Sequence, residues 1–287
     1  LNFGKRLLTF VVLTLATCGA AAAQNFDPTA YFLGFSTMHP SDGRSATASF
    51  DMLGARRPRV QNEPFYGELV EQLTRGKADG SQTTHSTYPI KMWRNSEGSF
   101  RIERVVFSGI DETSEQLSTV VTICDHVAGM TYVLDVQHRI AHRFPCQPPI
   151  AIQRAETQRQ TPLTGPRPNV TAPSVPDPSR PARKTESLGQ QVIGEVVAEG
   201  SRTTTTYPVG FEGNDRPIVV SMETWVSREL KLEVMRKFTD PHVGANLREM
   251  KNIRRAEPDA ALFQVPSDFT IIDESGPFKF AMTKGGS

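Results

Sequence analysis

Leu230-Lys231-Leu232-Glu233-Val234-Met235-Arg236-Lys237-Phe238 alternates apolar and polar side chains. Leu230, Leu232, Val234 and Phe238 fall on one side, with Arg236 the exception, and Lys231, Glu233, Met235 and Lys237 fall on the other. A period of two with one oily face specifies a half-buried strand, wet on its far side. A turn at Ser227-Arg228-Glu229 precedes it and Asp240-Pro241 ends it. Around it, Ile218 to Val226 reads as the strand before and Leu247 to Arg255 as the return strand. Upstream, Gln191 to Ala198 and Ser201 to Tyr207 read as extended runs about a turn at Glu199-Gly200. Downstream, Pro258 to Leu262 suits one helical turn, and Phe269 to Ile272 closes the block.

A similar block lies earlier in the chain. Asp79-Gly80 and Asn95-Ser96-Glu97-Gly98 punctuate runs rich in Thr, Val, Ile and aromatics, as hairpin loops do. Val120 to Cys124, Thr131 to Asp135 and Ile140 to Phe144 form a meander with two short turns. Phe65, Leu69, Val70 and Leu73 also have helical spacing; we read the stretch as strand. Gly80-Ser81-Gln82-Thr83-Thr84 is echoed by Gly200-Ser201-Arg202-Thr203-Thr204, an echo that shared hairpin chemistry explains without duplication. The expected fold is mainly β: a curved antiparallel sheet or half-open barrel with little helix, interrupted by a long disordered proline-rich loop.

The organisation expected is a leader over residues 1–23, a loosely ordered arm over 24–63, a first β block over 64–144, a proline-rich insertion over 145–186, a second β block over 187–273 that shares one sheet with the first, with two small lobes as the alternative, and a tail over 274–287. Ten of the chain's 21 prolines fall in 145–186, with no Phe, Trp or Tyr. Such a stretch cannot bury enough apolar area to offset its ordering entropy. In the leader, Lys5 and Arg6 precede the apolar run Leu7 to Ala16, and Ala21, Ala22 and Ala23 offer a cleavage site before Gln24. The run is too short to span a bilayer and reads as a secretory signal. The expected location is the periplasm or extracellular space. The alternative is a lipid anchor through Cys18, since Leu15-Ala16-Thr17-Cys18 resembles a lipobox with Thr17 in place of the usual small residue.

The net charge of +1 provides no field for nucleic acid, and no basic stripe is interleaved with aromatics. Cys124 and Cys146 remain after the leader, and an oxidising compartment makes a disulfide between them the expectation. They lie two strands apart at the same end of the meander.

Trp93-Arg94-Asn95-Ser96-Glu97-Gly98, Arg101-Ile102-Glu103, the run from Val120 to Arg143, and the ending Glu257 to Phe269 resemble exported bacterial β-rich proteins of unassigned function, over most of residues 64–272. The Leu262-Phe263-Gln264-Val265-Pro266 ending is loosely similar to the periplasmic lipoprotein-carrier superfamily. That looser resemblance implies a half-open antiparallel barrel with an apolar concave face that can hold acyl chains. It carries over no functional residue.

Chemistry-bearing patterns are few. His138 and His142 on one strand face stand roughly 13 Å apart, too far for one metal. They read as solvent-facing, as do His85, His126 and His242. Asp125-His126 forms a dyad only if the turn aims both inward. There is no GxSxG elbow, nucleotide glycine loop or CxxC. Trp93 and Trp225 read as core anchors. No catalytic residue, metal or cofactor is assigned. The leading reading is a non-enzymatic exported binding module that holds a lipid or other hydrophobic small molecule on Leu230, Leu232, Val234, Phe238, Tyr132 and Leu134. The alternative is an envelope interaction or assembly protein that binds a protein partner. A hydrolase built from dispersed carboxylates or histidines ranks third.

Overall fold

The computed structural model describes residues 35–38, 45–50, 59–77, 80–106, 118–146 and 179–283. The leader, Cys18 and most of the proline-rich segment lie outside them. The described chain is mainly β-sheet with little helix. Its strands are β1 (Phe35–Met38), β2 (Ser45–Phe50), β3 (Phe65–Gly76), β4 (Gln82–Ser86), β5 (Ile90–Arg94), β6 (Phe100–Val106), β7 (Ser118–Asp125), β8 (Met130–Asp135), β9 (Ile140–Pro145), β10 (Ala182–Ile193), β11 (Val196–Tyr207), β12 (Ile218–Ser227), β13 (Leu232–Asp240), β14 (Gly244–Arg254), β15 (Thr270–Asp273) and β16 (Phe278–Thr283). One 3-10 turn, Ala260–Phe263, is capped by the Asp259 side chain. No helix among the described residues is long and apolar enough to cross a membrane.

Thirteen strands form one sheet in the order β10-β11-β12-β13-β14-β3-β5-β6-β7-β8-β9-β15, with β4 beside β3. The two sequence blocks meet where β14 pairs antiparallel with β3, Met250 opposite Leu69. The sheet is open: among the described residues its path ends at β10 and at β15, and β15 pairs with β9 in parallel. A smaller sheet, β1-β2-β16, draws its strands from the expected arm and tail. β10 begins at Ala182, inside the stretch assigned to the proline-rich insertion.

Burial on both faces explains why the middle of the large sheet is so apolar. On one face, Phe65, Leu69, Met92, Phe100, Ile102 and Cys124 share a core with Ile193, Val196, Ala198, Trp225, Leu230, Leu232 and Met250 from the other block. On the opposite face, Val121, Ile123, Leu134 and Ala141 pack beneath Phe263 of the 3-10 turn. The Arg101 guanidinium donates to the Leu262 carbonyl at 3.0 Å and pins that turn in place. Each fully buried leucine contributes about 1.5–3 kcal/mol by leaving water.

Arg94 joins the halves inside this core. It is only 1% exposed. Its Nε donates to the Glu63 carbonyl at 2.8 Å and its Nη2 to the Leu230 carbonyl at 2.6 Å, while the guanidinium lies 4.8 Å from the Phe65 ring centroid.

Two details depart from the sequence reading. The expected turn at Glu199-Gly200 lies instead at Gly194-Glu195, both with positive φ (55° and 72°). Gly200 sits mid-strand opposite Trp225, and a Cβ there would meet the indole ring at 2.8 Å. The glycine is needed for close approach, not for a turn. In β13, a bulge opposite Trp225-Val226 breaks the clean alternation. Consecutive residues Val234 and Met235 both join the core, and Phe238, opposite Met222, falls in phase with Arg236 on the other face.

Gly200→Ala is expected to lower the unfolding free energy by about 1–3 kcal/mol through overpacking against Trp225, read as a lower urea midpoint; an unchanged midpoint would contradict the contact. Arg94→Met is expected to cost about 1–3 kcal/mol, because the buried Leu230 carbonyl and the half-buried Glu63 carbonyl lose their donor. Equilibrium denaturation followed by tryptophan fluorescence checks it.

Candidate functional site

The meander brings three metal-ligating side chains to one end of the sheet. β7 ends at Cys124-Asp125, with Cys124 opposite Thr131 of β8. His126 follows in the turn to β8, where the Asp125 carboxylate accepts from the Val127 and Ala128 amides at 2.8 and 3.0 Å. That local capping is what Asp125 does; the turn does not aim it at His126 as a dyad would require. Cys146 lies one residue past β9, and its amide donates to the Gly129 carbonyl at 2.8 Å. Two antiparallel returns therefore place the ends of β7 and β9 on either side of the start of β8.

The resulting trio is compact. The Cys124 and Cys146 sulfurs are 2.9 Å apart, Cys124 Sγ lies 3.8 Å from His126 Nε2, and Thr131 Oγ1 lies 3.2 Å from Cys146 Sγ. The ligand atoms of Cys124, His126 and Cys146 all fall within 4.8 Å of one another. The expected disulfide is corrected here: both cysteines are free thiols. Their sulfurs stand well beyond the bonded separation of about 2.05 Å. Topology brings them together without bonding them.

The thiols are electrostatically unequal. The hydrogen bond to Cys146, together with burial, pushes the Cys124 thiol far up. The same hydrogen bond holds Cys146 below the ordinary thiol range despite its burial. The proton is therefore held more tightly on Cys124 than on Cys146. Burial first, and then the Arg59 charge, lowers the His126 pKa, partly offset by Asp125. A neutral imidazole is the form that ligates a metal. The His126 amide donates to Ser99 Oγ at 3.0 Å, and its ring lies 5.9 Å from that of Phe100. His126, expected to be solvent-facing, is half-buried.

The other histidines do not converge on this site. His138, 49% exposed at its side chain, pairs with Asp135 at 2.7 Å. His142, expected to face solvent, is buried instead, stacked on Phe278 and Phe280 and 2.7 Å from Glu274. His85 and His242 are exposed.

The six residues expected to line a concave apolar face do not form one surface. Leu230, Leu232 and Val234 are 0–1% exposed within the shared core. Tyr132 and Leu134 belong to the cluster on the opposite face beneath Phe263. Phe238 is separated from Leu232 by the bulge.

The outer surface carries its own apolar groups. After β11, the loop over 208–217 is held by Asn214, whose Nδ2 donates to the Pro208 and Arg216 carbonyls at 2.8 and 2.7 Å. Its Oδ1 accepts from the Glu212 amide at 3.0 Å. This braced loop exposes Val209 (59%) and Phe211 (46%), with Val219 (47%) at the same end of the β11-β12 hairpin. The Phe211 ring packs tilted against Tyr207, centroids 5.3 Å apart.

No protein-family model and no curated protein matches this chain. Among solved structures, an uncharacterized conserved protein from Thermus thermophilus is similar at TM-score 0.36 and 9% identity, over 78% of this chain and 97% of that one. A structure of MucB is similar at TM-score 0.34 and 12% identity, over 76% of this chain and 62% of that one. The Pseudomonas aeruginosa MucA/MucB complex gives TM-score 0.35 and 13% identity, over 74% of this chain and 59% of that one. The chain thus spans about three fifths of the MucB chains it matches.

Alkylation under reducing conditions is expected to label Cys146 ahead of Cys124, with a midpoint below the ordinary cysteine value of about 8.5. Mass spectrometry across a pH series checks it. Equal labelling of the two thiols would contradict the assigned polarity.

Proposed function

We propose that this is a non-catalytic, exported binding protein whose partner is another protein of the cell envelope. The observation that carries the reading is where the apolar side chains are spent. Of those expected to hold a lipid, all but Phe238 are packed into cores on the two faces of the sheet, so a ligand in that interior has to displace the protein's own core. Apolar groups available without such displacement lie outside, among them Val209 and Phe211 on the braced loop over 208–217, where the backbone is held by Asn214. Among the described residues, no cluster resembles a catalytic site.

Rigidity supports this reading further. An ordered loop that presents Val209 and Phe211 to water loses little conformational entropy on docking. Phe211, backed by Tyr207, has the form of an aromatic anchor. The partner is expected to offer an apolar seat ringed by polar groups. The long edge strand β10 contributes orientation more than strand addition, since Arg183, Lys184 and Glu186 and a bulge at Ser187/Gly189 blunt it against indiscriminate pairing. The lead-in for this role is the secretory leader read from the sequence; the address determines which proteins it can meet.

A photo-crosslinking residue at position 211, expressed in the native envelope, is expected to trap one discrete protein partner. The Val209→Ser/Phe211→Ser variant should bind that partner roughly tenfold more weakly or worse with an unchanged melting temperature. If no protein is trapped at 211 or 209 while delipidated protein takes up a fluorescent fatty acid with one-to-one stoichiometry, the hydrophobic-ligand reading replaces this one.

A further inference from the structure

We infer that Cys124, His126 and Cys146 form a binding site for a thiophilic d10 cation, zinc(II) or copper(I). This site is independent of the partner-binding loop and is not needed for that reading. Two sulfurs and an imidazole nitrogen form the donor set that soft and borderline cations select over calcium or magnesium. The three ligand atoms lie within 4.8 Å of one another, the span that one ion must bridge.

The geometry is close to what coordination requires. With metal–sulfur and metal–nitrogen bonds near 2.3 and 2.05 Å, tetrahedral angles place sulfur and nitrogen about 3.6 Å apart and two sulfurs about 3.8 Å apart. Cys124 Sγ and His126 Nε2 already stand at 3.8 Å. The sulfurs, at 2.9 Å, must separate by somewhat under 1 Å. Cys146 makes that adjustment by turning its side chain, since it is less buried than Cys124, which is fixed in β7 and fully buried.

The surroundings are those of a supported site. Thr131 Oγ1, 3.2 Å from Cys146 Sγ, is within reach to hydrogen-bond the ligating sulfur. The amides of His126 and Cys146 are tied to Ser99 Oγ and the Gly129 carbonyl, which fixes the backbone of two ligands before an ion arrives. Binding turns both thiols into thiolates, and their protons pass to solvent. Two thiolates balance the charge of zinc(II) and leave its fourth position to water. Copper(I) is satisfied by the three protein donors alone.

The test uses the full chain, reduced and stripped of metal with a chelator. Zinc(II) is titrated against a chromophoric competitor, copper(I) against a copper(I)-specific chelator, and cobalt(II) serves as a spectroscopic probe. One equivalent of zinc(II) or copper(I) is expected to bind, with thiolate-to-cobalt charge transfer in the cobalt form and a raised melting temperature in the metal-bound form. Cys146→Ser and His126→Gln should each weaken binding by about tenfold or more, and His85→Gln should leave it unchanged. Cys146 and His126 are less buried than Cys124, so their variants are read first, with circular dichroism confirming that each folds. Absence of stoichiometric binding by both zinc(II) and copper(I), or binding that survives Cys146→Ser and His126→Gln, overturns the proposal.

Discussion

Arg94 occupies a buried place where the two halves of the chain have to agree. Its guanidinium reaches the carbonyl of Leu230, at the turn into β13, from a strand of the first block. It also reaches Glu63 at the entrance to β3 and lies over Phe65. A buried cation of this kind is tolerated only when its donors meet acceptors. It therefore fixes the distance between β5 and the β12-β13 turn. The shared core forms around that distance: Leu230, Leu232 and Trp225 from one block meet Phe65, Met92 and Phe100 from the other. Antiparallel pairing of β14 with β3, with a register shift between Lys251 and Arg254, makes the same connection through the backbone.

Given that frame, close approach governs the rest of the sheet. Gly200 lets the Trp225 indole lie against the backbone of β11. Gly194, at positive φ, brings the β10-β11 turn within 2.7 Å, from its would-be Cβ, of the Met250 carbonyl. The bulge in β13 turns Val234 and Met235 together into the core and interrupts the strand's alternation. The apolar side chains that pattern analysis collects into one face are thereby distributed over two clusters and an outer position. Outside the core, Val209 and Phe211 stand exposed on a braced backbone.

The end of the β7-β8-β9 meander shows how little chain is needed to build a compact donor set. Cys124 and His126 come from a strand end and its turn, and Cys146 from the end of the next strand but one. Each alone is ordinary in sequence. Their proximity is a consequence of two tight antiparallel returns, and the inequality between the thiols follows first from the hydrogen bond they share and then from burial.

Much of the local structure is legible from residue order. Period-two alternation identifies β13, turn-bounded extended runs identify β12 and the meander, and the stretch from Phe65 is strand, as read. Asp259 caps the expected short turn, and Asn95 to Gly98 form the expected hairpin loop, because these features depend on a few neighbouring residues and their backbone preferences. What depends on contacts between distant residues is decided by tertiary structure. Gly200 serves Trp225 instead of a turn, His142 is stacked on a distant strand's aromatics instead of facing water, and Phe238 is moved off the core face by a bulge. The spacing of Cys124, His126 and Cys146 holds the one available signal for the donor set, a Cys-x-His pair with a second cysteine beyond two strands. Composition alone favours a covalent bridge there, because a sequence records which groups share a compartment but not the separation at which folding holds them.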